Sequence, residues 1–156
     1  MSRIWKKIAL VGLKKITGDK NLGTKLFEQI IKVVPQTAVE TLIVDNIDNP
    51  GKILLTWRQD ENYLGWHIPG GYIRFGEMPE DRLKKVVEKE LGVSVRKYKD
   101  THLNHTLIYS RGHTIGLIYL VELESTQTTD GKWFDKIPTP IIGRHKEIIT
   151  GVLRFS

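Results

Sequence analysis

The run GGYIRFGEMPEDRLKKVVEKELGV, from Gly70 to Val93, constrains this chain more than any other part of it. A short apolar strand at Trp66 to Ile68 enters Pro69-Gly70-Gly71, a loop crosses to Glu77, and a helix is predicted from Pro79 to Leu91. Proline suits the first helical turn, where its missing N–H costs nothing, and Glu80 and Asp81 complement the dipole there. Gly92 stops the helix. The glycine pair lets backbone come close to a ligand. On the helical wheel Leu83, Val86, Val87 and Leu91 share one face, and Glu90 falls on it too. A carboxylate on a buried face must be paired or must bind a metal. At one turn from the helix end, Glu90 has the plainer alternative of swinging into water.

The remaining pattern surrounds that unit with strands and helices. A helix is expected from Thr24 to Val34, with Leu26, Phe27, Ile30, Ile31 and Val34 on one stripe and Pro35 ending it. Ala38 to Val44 and Lys52 to Trp57 read as a hairpin around the turn-rich DNIDNPG of Asp45 to Gly51. Arg58 to Gly65 reads as a polar loop. Two longer strands follow, His102 to Tyr109 and His113 to Leu123, joined at Ser110-Arg111-Gly112. Ser125 to Lys132 reads as a second polar loop, and a terminal helix runs from Ile141 to Leu153. This order predicts an α/β sandwich with a mixed sheet. With 156 residues the chain suits one domain, taken as 21–156, preceded by a basic amphipathic extension at 1–20.

That extension alternates Ile4, Trp5, Ile8, Val11 and Leu13 with Arg3, Lys6, Lys7, Lys14 and Lys15. It reads either as a helix seated on the domain or a partner chain, the commoner use of such a stripe, or as one lying on a membrane. Its short apolar stretch is broken by lysines and lacks a small-residue cleavage site, so it does not read as a secretory signal. No apolar run approaches the roughly 20 residues of a membrane span, and no transmembrane segment is expected. There is no cysteine, which excludes disulfides, zinc–thiolate sites and cysteine nucleophiles and fits a reducing, cytoplasmic setting. The net charge of +6 is either a solvated basic surface or an attraction to a phosphate-bearing ligand. The basic residues are spread out and no recognition motif appears, so nucleic acid is not expected as a partner.

The run from Gly70 to Val93 resembles the Nudix box: Gly, five residues, Glu, seven residues, Arg-Glu-aliphatic-any-Glu-Glu-any-Gly-aliphatic. Gly71, Glu77, Val87, Glu90, Gly92 and Val93 fall in register. Lys85 stands at the box arginine, Val86 at the glutamate after it, and Lys89 at the first of the later glutamates. A chain stripped to the last box glutamate is similar to the GDP-mannose mannosyl hydrolase branch of the Nudix superfamily. Phe27 to Pro35, Ala38 to Asn46, Arg58, Asn104-His105, and Gln127 upstream of Lys132-Trp133 extend that similarity.

The resemblance implies a Nudix fold, an α/β/α sandwich with a mixed β-sheet, and hydrolysis of a nucleotide-sugar to nucleoside diphosphate and free sugar by C–O cleavage. It implies one Mg2+ held by Glu90, the Gly71 carbonyl and Gln127, and a homodimer using the N-terminal region. Arg58 would contact the diphosphate, with Arg74 and Lys85 as further phosphate contacts, and His105 the phosphate or sugar. Lys85 would also pair with Glu77 to brace the loop. The branch places its histidine base directly after the glutamine, where this chain has Thr128; nearby Asp130 is the expected substitute. On the residues alone, Arg58 also reads as a solvated strand end, Gln127 as an exposed loop residue and His105 as a structural histidine. Two other functions stay open: phosphoanhydride cleavage of another nucleoside diphosphate derivative, with Glu88 compensating, and a non-catalytic nucleotide-binding module.

Overall fold

The computed structural model describes residues 3–16, 23–61, 63–109 and 112–153. The elements run α1 (Arg3–Ile16), α2 (Thr24–Ile30), β1 (Gln36–Val44), β2 (Ile53–Gln59), β3 (Leu64–His67), β4 (Gly70–Tyr72), α3 (Pro79–Leu91), β5 (Val95–Tyr109), β6 (Gly112–Leu123), β7 (Lys132–Phe134) and α4 (His145–Val152). The expected boundary between residues 20 and 21 lies outside the described residues, as do Ser110 and Arg111 of the expected turn.

The sheet is mixed, in the order β3-β2-β1-β6-β5, with β4 added to β1 and β7 to β2. β1 is its axis. It runs parallel to β6 from Gln36–Thr114 to Ile43–Val121 and antiparallel to its other neighbours. A strand with partners on both edges and helices over both faces must be apolar on both sides. Leu42, Ile43 and Val44 are accordingly fully or almost fully buried.

Residue parity divides the core into two layers, because successive side chains in a strand point to opposite faces. Val39, Ile43, Leu54, Tyr119 and Val121 meet Leu83, Val87 and Leu91 of α3 on one face. Leu42, Val44, Ile53, Leu55, Ile118 and Leu120 meet Ile148, Ile149 and Leu153 at α4 on the other. This is the expected α/β/α sandwich. Several boundaries move. The helix after Gly23 stops at Ile30, and the chain continues as turns to Val34. The terminal helix begins at His145 rather than Ile141. The expected polar loop at Ser125–Lys132 ends in a strand, since Lys132–Phe134 pairs with β2.

Gly92 closes α3 in the left-handed region, φ 67°. A Cβ there would lie 2.7 Å from Thr129 Cγ2, because Thr129 donates its N–H to the Leu91 carbonyl and fastens the 124–131 loop to the helix end. Gly92→Ala is therefore expected to cost about 2 kcal/mol in urea unfolding, from backbone strain plus the clash. Gly92→Asn, which tolerates this φ better, should still cost about 1 kcal/mol. A neutral Asn variant would show that the Thr129 contact contributes nothing.

Candidate functional site

The sheet divides where β1 changes partner, and the gap this leaves is the candidate cleft. The C-terminal half of β1 pairs with β2 at Ile43 and Val44, and its N-terminal half with β4 from Ala38 to Glu40. Thr41 lies between them, fully buried, and donates both its N–H (2.9 Å) and its hydroxyl (2.7 Å) to the Pro69 carbonyl. Past that point β2 leaves β1 and forms its own antiparallel pair with β3. Side chains of β1, β2 and the α3 end can meet in the gap without closing a sheet across it.

Glu90 reaches this gap from the last turn of α3, and the Gly70 N–H donates to its carboxylate. Burial raises its pKa, and the neighbouring Glu40 carboxylate adds to the rise. Lys89, Arg58 and the Gly70 N–H offset part of it, leaving a value of about 7. Glu40 comes from β1. Burial raises its pKa as well, against the pull of His105. Its Oε1 lies 3.7 Å from His105 Nε2, and both side chains are almost covered. Among the described residues neither ring nitrogen of His105 has a hydrogen-bond partner. The two residues are seated by glycines. A Cβ at Gly70 would lie 2.7 Å from Glu40 Oε2, and one at Gly116, opposite His105 across the β5–β6 ladder, would collide with the imidazole.

Arg58 enters from β2. It pairs with Asp60 and lies 4.5 Å over the Tyr63 ring, and its charge reaches Glu90, His67 and His145. Two further histidines grip the backbone that leads into the glycine pair. His67 shares Nδ1 with the Ile68 carbonyl (2.9 Å) and Nε2 with the Thr56 hydroxyl (3.0 Å). His145, at the start of α4, accepts the Ile68 N–H at Nδ1 (2.8 Å). An accepting Nδ1 requires a neutral ring with its proton on Nε2. Burial, with the charges of His67, His105 and Arg58, depresses the His145 pKa to about 3. Burial likewise depresses that of His67. Both rings are therefore neutral near pH 7, holding the two peptide groups that flank the Ile68 Cα.

The loop between β4 and α3 is braced at Glu77. Its Oε2 takes Arg82 and the Arg74 N–H, and its Oε1 takes Lys85 at 2.8 Å. Burial alone would raise the Glu77 pKa, but Lys85, the Arg74 N–H and Arg82 together hold it down at about 2.

The structure thus brings Arg58, Glu90 and His105 to one cleft and spends Lys85 on the brace. Gly71 lies in the β1 ladder opposite Val39 and beneath α3, with the Val86 side chain 3.0 Å from where its Cβ would be. It is Gly70 whose backbone meets Glu90. Arg74 is exposed and enters the brace through its N–H. Gln127 is exposed on the 124–131 loop, its N–H on Ser125 Oγ. Asp130 accepts the Gly131 N–H and acts electrostatically on His67. Thr128 sits on the same loop, half-buried. Glu40, His67, His145 and Arg82 were not singled out by the sequence. Pro69-Gly70 was the one available signal for His67, which stands two residues before it.

Two half-buried carboxylates with raised pKa values, both beside Gly70, are a poor arrangement without a cation. Hard oxygen donors of this kind suit Mg2+, which uses one or two carboxylates and fills its other positions with substrate phosphate and water. Among the described residues no three His, Cys, Asp or Glu side chains cluster at metal-binding separations. Glu90 and Glu40 are thus the carboxylates that this site offers to a hard cation.

Comparison with known proteins gives three kinds of likeness. The family model for the NUDIX domain matches residues 36–137. Over 70 residues the chain is 36% identical to the low-salt glycan biosynthesis protein Agl8 of Haloferax volcanii, a match covering 44% of this chain and 42% of that protein. Among solved structures, a MutT NUDIX hydrolase from Burkholderia pseudomallei superimposes with a TM-score of 0.66, 22% identity, and coverage of 77% of this chain and 99% of that one. A NUDIX-family hydrolase from Clostridium perfringens gives 0.60 and 16% identity, covering 75% and 95%.

Proposed function

The chain belongs to the NUDIX family, and from that premise we propose that it is a Mg2+-dependent hydrolase of a nucleotide-sugar, releasing nucleoside diphosphate and free sugar by C–O cleavage. One observation carries the reading: α3 offers the cleft a single carboxylate, Glu90. Val86 and Val87 are buried, while Glu88 and Lys89 face solvent. A multi-ion centre for phosphoanhydride cleavage needs more acid than this helix supplies. The Haloferax relative is named for glycan biosynthesis, which supports a substrate carrying a sugar.

Glu90, with the backbone at Gly70 and Gly71 and Gln127 from the neighbouring loop, would hold Mg2+. Bound there, the ion would neutralise charge on the departing diphosphate. Arg58 presents a fixed fork of donors to the same diphosphate, its plane already set by Tyr63 and Asp60. His105 takes the proton of the attacking water, and Glu40 steadies the imidazolium that results. Asp130 is the weaker candidate for that role, being exposed and tied to Gly131 N–H. Water attacks the anomeric carbon, the carbon–oxygen bond to the diphosphate breaks, and the bonding pair leaves on the diphosphate oxygen. The oxocarbenium character of the transition state lowers the demand on the base. We place this activity in the cytoplasm.

The test is turnover of a nucleotide-sugar panel, GDP-mannose included, with Mg2+ in 18O-enriched water. Label in the free sugar, with nucleoside diphosphate released, is the expected result. Label in a nucleoside monophosphate or sugar phosphate would replace C–O cleavage with phosphoanhydride cleavage. Absence of turnover, with nucleotide-sugars still raising the Tm, would leave a binding module.

A further inference from the structure

We propose that α1 is an interfacial helix that seats the protein on an anionic lipid surface. Every residue from Ile4 to Lys15 is exposed. Ile4, Trp5, Ile8, Leu10, Val11 and Leu13 are each more than half exposed, at 53–68%. So many large apolar side chains on one short helix form a patch that calls for a cover. At 100° per residue, Val11, Ile4, Ile8, Trp5, Ala9 and Leu13 fill one broad arc, and Lys6, Lys7 and Lys14 the opposite one. Leu10 falls among the lysines. Lys15 falls inside the apolar arc, at the last turn, where a long stem can run along the surface and lift its ammonium into the headgroups.

Charge identifies the cover. The helix holds four described lysines and no acid. Two copies set face to face through the apolar arc would leave Lys6, Lys7 and Lys14 pointing away from the seam, with nothing on either helix to pair them. Anionic headgroups above an acyl layer supply both what the lysines and what the apolar arc lack. At 14 residues α1 is about 21 Å long, short of the roughly 30 Å hydrocarbon core, so it lies in the plane of the surface. Among the described residues no helix is long and apolar enough to cross a membrane.

The test is co-sedimentation of the full chain with phosphatidylcholine vesicles, with and without about one-third phosphatidylglycerol. Binding is expected to the anionic vesicles alone and to weaken as salt rises. Ile4→Asn with Ile8→Asn should abolish it, and replacing Lys6, Lys7, Lys14 and Lys15 with Gln should weaken it about 100-fold. Both variants should keep the wild-type Tm, since neither core layer, among the described residues, includes a residue of α1. Equal binding to both vesicle types would overturn the proposal. So would a failure to bind accompanied by a dimer, seen in sedimentation equilibrium and lost in the Ile4/Ile8 variant, which would make a second copy the cover.

Discussion

Glu90→Gln is expected to lower kcat/KM by about 1,000-fold, the loss of roughly 4 kcal/mol of transition-state stabilisation, while making the metal-free protein more stable at pH 8. The two effects have one cause. The cleft holds a carboxylate whose pKa is lifted from an ordinary 4.5 to about 7 by burial and by Glu40. A raised acid pKa means that the folded state prefers the protonated form. Below pH 4.5 both states are protonated and the group has no effect. Between 4.5 and 7 the unfolded chain has lost the proton and the folded chain keeps it, so stability falls as pH rises. Above 7 the full penalty remains, about 3 kcal/mol. The glutamine variant is never charged and should show a flatter pH–stability curve, crossing above wild type near neutrality. Saturating Mg2+ should raise the Tm of wild type at pH 8 and leave that of the variant unchanged. Thermal unfolding across pH 4 to 8, with and without Mg2+, checks both parts. A variant that keeps its activity would remove Glu90 from the site.

How far the sequence led depends on how each residue reaches the cleft. Pro79–Leu91 was readable to the residue, because proline, the acidic first turn, the apolar face and the glycine stop all agree. β5 begins at Val95, well before the expected start at His102: its first half, VRKYKD, is polar and forms the outer edge of the sheet. A three-residue strand such as β7 has too few side chains to show a period, and only its pairing with β2 defines it. Arg58, Glu90 and His105 could be named because each sits beside a pattern. Glu40 could not. In the sequence TAVETLIV it looks like the solvent-facing partner of Val39, and it is the division of β1 between β2 and β4 that turns its face into the cleft. His145 meets Ile68 across 77 residues of chain, because 140–142 runs along β3 through Trp66. No local spacing carries that information.

Arg82→Ala is expected to cost about 3 kcal/mol in chemical unfolding, and Lys85→Ala less than about 1 kcal/mol. Both side chains reach the same carboxylate, but in different surroundings. Arg82 is 13% exposed and gives Glu77 Oε2 contacts from both Nε and a terminal nitrogen, whereas the Lys85 side chain is 62% exposed. Removing Arg82 leaves a covered carboxylate, 8% exposed, short of its most shielded partner, while removing Lys85 lets water in. The box pattern assigns this brace to position 85. Here the guanidinium stands three residues earlier, on the same face of α3, with its stem against Gly71. The acid limb gives a second readout. Glu77, held at about 2 in the folded state, contributes stability above pH 4.5 that is lost as pH falls toward 2. Arg82→Ala and Lys85→Ala should each narrow that window from below, by letting the folded pKa climb. Equal costs for the two variants would return the brace to position 85. A large cost for Arg82→Ala alone would mean that the glycine turn feeding Glu90 is anchored by a residue the box does not specify.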